Sequence, residues 1–286
     1  MYIMKNNGFF ILCAVMQTMI LTACVNSIRE EYPDTTTINF FVTPFTQHPM
    51  TRSASPLSDA CKRMDCYVYH EGVFEQAIKS IQTDENFGTV SYKTTHGSNQ
   101  FLFIGYNSES PMTFDTETKT ASFDKISDTF SYCLNLDVDD NTNSAQAVQL
   151  VRRVAKFELV ATDPIPANAA TMEFTIDGGC SSLNAVTGKG VNVYTQHKVI
   201  NIPSSNIGKK NCTFSAYVFS ASGSATINVN AVMKDSSGNV LVSHTFTDVD
   251  LSVNQITRYT GELFANDITT TVTVATDWDG INTTDF

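Results

Sequence analysis

From residue 36 onward, segment after segment alternates apolar and polar positions with a period of two, the spacing of a half-buried strand. Thr36–Phe45 (TTINFFVTPF) and Asp65–His70 (DCYVYH) combine this alternation with aromatic and β-branched residues, which predicts half-buried strands. Thr89–Lys93 and Gln100–Tyr106 read the same way. Gly72–Ile81 (GVFEQAIKSI) differs, because Val73, Ala77 and Ile81 stand four apart and predict one short helix. Glu109–Asp128 is polar and turn-rich, and Asp137–Ser144 (DVDDNTNS) reads as a loop.

A second block opens after that loop. Gln149–Ala161 (QLVRRVAKFELVA) alternates over Val154, Lys156 and Glu158 and stops at Asp163-Pro164-Ile165-Pro166. Thr171–Ile176, Gly190–Ile202, Thr213–Phe219, Ala225–Met233, Val240–Phe246, Ile256–Leu263 and Thr270–Ala275 follow as strands. Ala225, Ile227, Val229, Ala231 and Met233 share one face, and Lys234–Asn239 (KDSSGN) supplies a hairpin turn after them. Gly178-Gly179-Cys180-Ser181 reads as a second, glycine-rich hairpin. Short strands spaced by turn signals predict an all-β protein of antiparallel sandwiches rather than βαβ units. The boundary falls between Asp140 and Val154, giving an N-terminal domain over 36–146 and a C-terminal one over 147–286.

The N-terminus adds a compartment. Met1–Asn7 holds Lys5 and no acid, Gly8–Leu21 is almost wholly apolar, and Leu21-Thr22-Ala23-Cys24 follows at once. This is the layout of a secretory signal, here 1–23, too short to span a bilayer comfortably. Leu21-Thr22-Ala23-Cys24 resembles the lipobox of bacterial lipoproteins, in which the cysteine takes a diacylglyceryl group and becomes the first mature residue. Residues 24–35 then form a polar, lipidated tether.

Composition narrows the function. The chain has 286 residues, enough for one large domain or two modest ones, and 42% are apolar, which excludes wholesale disorder. A net charge of −11 without a basic patch argues against nucleic acid as a partner. The histidines His48, His70, His96, His197 and His244 lie far apart, and no P-loop, GxGxxG, GxSxG or HExxH occurs, so neither a catalytic residue nor a metal or cofactor site is assigned. Asp137–Asn143 gathers oxygen ligands suited to calcium but lacks the EF-hand glycine and terminal glutamate, so a solvated loop is the expectation. Five cysteines remain beyond Cys13 and Cys24, and most are expected as small buried hydrophobes, with a Cys180–Cys212 bridge left open. Trp278, between Asp277 and Asp279, is a candidate for stacking on a sugar, although a single Trp is more often a packing anchor.

Four features together resemble the Bacteroidetes fimbrillin superfamily, nearest to its FimB-type anchor and accessory subunits. They are the lipobox, the strands Cys66–Tyr69 and Phe101–Tyr106 (FLFIGY), the run Leu150-Val151-Arg152-Arg153-Val154-Ala155-Lys156-Phe157, and the tail from Asn254 to Phe264 followed by Asp277-Trp278. The resemblance implies two transthyretin-like β-sandwich domains, display on the outer membrane through the lipid on Cys24, and strand exchange with other fimbrial subunits. It also implies a processing question. Stalk subunits lose lipid and first strand to a trypsin-like protease, for which Arg52 is the candidate cut, whereas an anchor keeps both. The expectation is an uncut, non-enzymatic anchor or minor subunit, with a processed stalk or tip subunit and a glycan-binding surface lipoprotein as rivals.

Overall fold

Met64, Cys66 and Val68 enter one hydrophobic core while Tyr67 and Tyr69, alternating with them on the same strand, enter another. The computed structural model containing this strand describes residues 34–43, 56–264 and 270–275. The strand is β2 (Arg63–His70), and β5 (Gly97–Tyr106) beside it behaves identically: Phe101 and Phe103 face the first core, Leu102, Ile104 and Tyr106 the second. Both strands are therefore buried on two faces, so their apolar residues run almost continuously.

The first core is closed by a three-stranded sheet of β1 (Thr35–Val42), β4 (Thr89–Thr95) and β9 (Ala145–Val148), ordered β4-β1-β9. Opposite it lies a five-stranded sheet, β10-β8-β5-β2-β3, completed by β3 (Val73–Ile81), β8 (Thr129–Val138) and β10 (Val151–Arg152). The hairpin β6 (Thr113–Asp115) and β7 (Thr120–Ser122) leaves this block and pairs with the second half.

There the sheet runs β16-β15-β12-β14-β11-β17-β18. Its strands are β11 (Val154–Ala161), β12 (Ala169–Asn184), β14 (Cys212–Phe219), β15 (Ser224–Asp235), β16 (Val240–Ser252), β17 (Ile256–Gly261) and β18 (Thr270–Ala275), with β13 (Lys189–Asn201) paired to β12. Phe157, Phe174, Ile176, Val229 and Met233 are fully buried in a third core here. Each such side chain contributes about 1.5–3 kcal/mol of transfer free energy, which is why strict alternation is a strong signal. The protein is thus an all-β sandwich fold, mostly antiparallel. Among the described strands two pairs are parallel, β1 with β9 and β11 with β17.

Three expectations need correction, and one point left open by the sequence is answered. Gly72–Ile81 is not a helix but strand β3. Glu71 and Gly72 both take positive φ, 48° and 79°, and form a two-residue hairpin turn that lays Val73 opposite His70. A spacing of four is also two strand periods, so Ala77 and Ile81 share a face either way.

Gly178-Gly179 is not a hairpin; it lies inside β12, at a register shift between Ile176 and Gly179. N-terminal to it β12 pairs with β15, and C-terminal to it with β14 and β7, so the glycines mark where one strand changes neighbours. A Cβ on Gly178 would lie 2.7 Å from the Thr226 carbonyl oxygen, and one on Gly179 2.5 Å from Val218 Cγ1. Only glycine fits there.

Cys180 and Cys212 form no bridge. Cys180 packs in the core shared by the two halves and Cys212 in the core of the second sheet. Finally, Glu109–Asp128 is not merely turn-rich, since it contains the β6–β7 hairpin turned at Lys119, whose φ is 54°. The Lys234–Asn239 turn forms as expected: the Asp235 carboxylate accepts from the Ser237 and Asn239 backbone N–H groups, and Gly238 supplies a φ of 83°.

Candidate assembly interface

Strand exchange needs a strand that can leave or an edge that can receive one, so the position of each strand decides what it can do. β1 lies between two neighbours. It pairs antiparallel with β4 from Thr35↔Thr95 to Phe41↔Thr89, and parallel with β9 from Asn39↔Ala145 to Val42↔Val148. The Asn39 N–H donates to the Ser144 carbonyl at 2.6 Å, and the Thr43 N–H to the Val148 carbonyl at 2.9 Å. Inward, Ile38 and Phe40 are sealed from solvent, and the Phe40 ring lies 4.5 Å from Phe101 and 5.2 Å from Phe103. Outward, Thr35, Thr37 and Phe41 are exposed. Taking β1 away would open two strand edges and an apolar slot floored by Phe101 and Phe103.

Other strands offer edges as they stand. β18 pairs with β17 from Ile256↔Ala275 to Gly261↔Thr270, and no partner lies on its other side among the described residues. β3 closes the five-stranded sheet with Val73 67% exposed, and β13 carries Val193 at 78%. Such apolar edge residues are templates for another chain unless covered.

Cys24, Arg52 and Trp278 lie outside the described residues. The strand that a cut at Arg52 would free is β1. The acidic loop after β8 spends its oxygens on itself: the Asp139 carboxylate accepts from the Asn141 N–H and Thr142 hydroxyl, both at 2.9 Å, bonds that hold its pKa below the usual range. A different trio comes together instead. One ligand atom each from Asp34, His96 and Asp140 lies within 4.8 Å of the others, with His96 Nε2 3.7 Å from Asp140 Oδ1. An imidazole and two carboxylates suit a divalent cation such as zinc. These residues are far apart in sequence, so no spacing signal could have found them. Among the remaining histidines, His70 contacts Asn99 and Thr95, His197 contacts Thr175, and His244 contacts the Leu263 carbonyl.

A family model described as a family of unknown function (DUF6562) matches residues 105–285. None of the curated proteins matches the sequence. Among solved structures, a candidate adhesin from Bacteroides ovatus superposes with a TM-score of 0.52 at 12% identity, over 87% of this chain and 95% of that one. A second, from Bacteroides ovatus ATCC 8483, gives 0.50 at 12% identity over 76% and 83%. The fimbrial anchor protein Mfa2 from Porphyromonas gingivalis gives 0.44 at 9% identity over 84% and 96%. At such identities the two adhesin matches establish a shared fold.

Proposed function

We propose that this chain, which belongs to the DUF6562 family, is a structural subunit of a cell-surface fimbria, held to the outer membrane through a lipid on Cys24 and joined to other subunits by strand pairing. The observation that carries the reading is the seat of β1, the middle strand of the β4-β1-β9 sheet, whose apolar face fills a slot that its departure would leave open between β4 and β9. Such a strand can be kept, which seals the domain, or replaced by a strand of the same pattern from another subunit. The fold shared with two candidate adhesins agrees with display at a surface.

The anchor role follows if β1 stays. With its slot filled, the first sheet cannot accept a strand there, and contact with the polymer passes to an open edge, of which β18 is the C-terminal one. Backbone hydrogen bonds along that edge supply affinity, and alternate side chains supply selectivity. The role needs no catalytic group.

Purification of the full chain from its native surface, with intact mass and identification of co-purifying chains, tests the reading. A lipidated form beginning at Cys24, accompanied by a ladder of fimbrial subunits, is expected. A lipid-free form beginning at Ser53 would replace the anchor with a stalk or tip subunit, and a lipidated protein without fimbrial companions would end the fimbrial reading.

A further inference from the structure

Tyr194, Gln196 and Lys198 alternate along β13 and share one face of that strand, because the register shift opposite them lies on β12. With His197 between them, they line a cleft of about 310 Å³, closed by Ser181 of β12 and by Phe123, Asp124, Lys125 and Ile126 of the segment between β7 and β8. The size is that of a small-ligand pocket. In a chain with eleven excess negative charges, this cleft is locally cationic: Lys125 and Lys198 line it, neither has a carboxylate partner among the described residues, and Asp124 is its single acid.

The chemistry along the walls is graded. Tyr194 is 51% exposed and presents an aromatic face at one end. Lys198 is half-buried at the other, its ammonium 5.7 Å from the Tyr217 ring centroid. Between them, Gln196 brings an amide and Ser181 a hydroxyl. Burial, then the charges of Lys156 and Lys125, lower the Lys198 pKa. An ammonium held among like charges is stabilised by any anion that joins it. A ring that stacks, hydroxyls that hydrogen-bond and a carboxylate that neutralises describe one ligand class.

We infer that this cleft binds an acidic sugar, with the ring against Tyr194, the hydroxyls toward Gln196 and Ser181, and the carboxylate between Lys198 and Lys125. A neutral sugar leaves the two ammonium groups unanswered, and a bare inorganic anion leaves Tyr194 unused. The inference is independent of the fimbrial reading, since it concerns a cleft remote in sequence from β1 and β18, and it does not involve Trp278.

Titration calorimetry on the full chain in detergent tests it, with glucuronic acid, glucose and inorganic phosphate as probes. Glucuronic acid is expected to bind, and glucose to bind at least roughly tenfold more weakly, the loss of one charge-assisted hydrogen bond. Lys198→Met and the exposed Lys125→Gln should each weaken glucuronic acid by a similar factor, and Tyr194→Ala should weaken it without strengthening phosphate. Thermal melting shows that each variant is folded, and Lys125→Gln keeps the test valid if Lys198→Met is not. Equal binding of glucose, phosphate binding as tight as glucuronic acid and indifferent to Tyr194→Ala, or no binding of glucuronic acid at all would each overturn the inference. A sialyl-capped oligosaccharide and an oligouronate then tell a terminal acid from an interior one, and binding of either upholds it.

Discussion

Glu158 and Arg258, one hundred positions apart, are register partners across the parallel pair β11 and β17, and Arg258 Nε donates to Glu158 Oε2 at 2.7 Å. Lys156 Nζ stands 2.6 Å from the other carboxylate oxygen. Burial by itself would raise the Glu158 pKa, but the two cations outweigh it and hold the carboxyl below its usual range. Removing Arg258 alone leaves a buried carboxylate with half its compensation. Arg258→Met is expected to cost about 3 kcal/mol, at the lower end for a broken buried pair because Lys156 remains. Urea unfolding at neutral pH checks it.

The same pair sets an acid limit. A depressed folded pKa contributes stability that is present above the unfolded glutamate value, about 4.3, and lost as pH falls through the folded one. Glu158→Gln should therefore show a shallower loss of stability in acid than the parent, in unfolding curves taken stepwise from pH 6 to about pH 3. Asp128 runs the other way: burial raises its pKa despite the paired Arg152 guanidinium, 2.8 Å away, so its protonation favours the folded state and softens the decline.

Phe40 anchors β1 between Phe101 and Phe103. Phe40→Ala is expected to destabilise by about 3–5 kcal/mol, through the lost transfer term and the cavity left behind. Phe41→Ala, one position along and facing out, should change stability by less than about 0.5 kcal/mol. Similar losses for the two would mean that β1 is not seated as described.

Gly178→Ala meets two penalties, a φ of +102° and a Cβ 2.7 Å from backbone. A loss of about 3 kcal/mol or more is expected. Gly223, with φ +92° and open space around its Cβ, is the control, and its alanine variant should lose only about 1–2 kcal/mol. Thermal melting of both decides whether the close approach adds to the dihedral cost.

Cys24→Ala is expected to move the protein from the membrane fraction to the soluble one. Among the described residues no helix is long and apolar enough to cross a bilayer. Fractionation and immunoblotting of the variant provide the check, and retention in the membrane would remove the lipid from the proposal.

Strands whose alternation feeds a single core were legible in the sequence, as with Ala225–Met233, where five residues share a face and all but Ala225 are fully buried. The hairpin after it was legible for the same reason, since Asp235 and Gly238 are turn chemistry acting locally. What failed was non-local. Val73, Ala77 and Ile81 carry a spacing common to helix and strand, and only the Glu71-Gly72 turn, joined to pairing with β2, selects the strand. Gly178-Gly179 looked like a turn because glycine permits both a turn and a close backbone approach. The cleft of Tyr194 and Lys198 was silent because its walls come from segments about seventy residues apart.

β12 belongs to more than one set of neighbours. Its first half hydrogen-bonds β15 and its last three residues hydrogen-bond β7, the hairpin sent across from the first block. A slip of one residue anywhere along it would turn Phe174 and Ile176 outward and Leu183 out of the core shared by both blocks. The junction therefore lacks the free loop on which a hinge would turn. Movement of one block against the other has to break the β7–β12 pairing and open the core that Leu183 shares with both blocks.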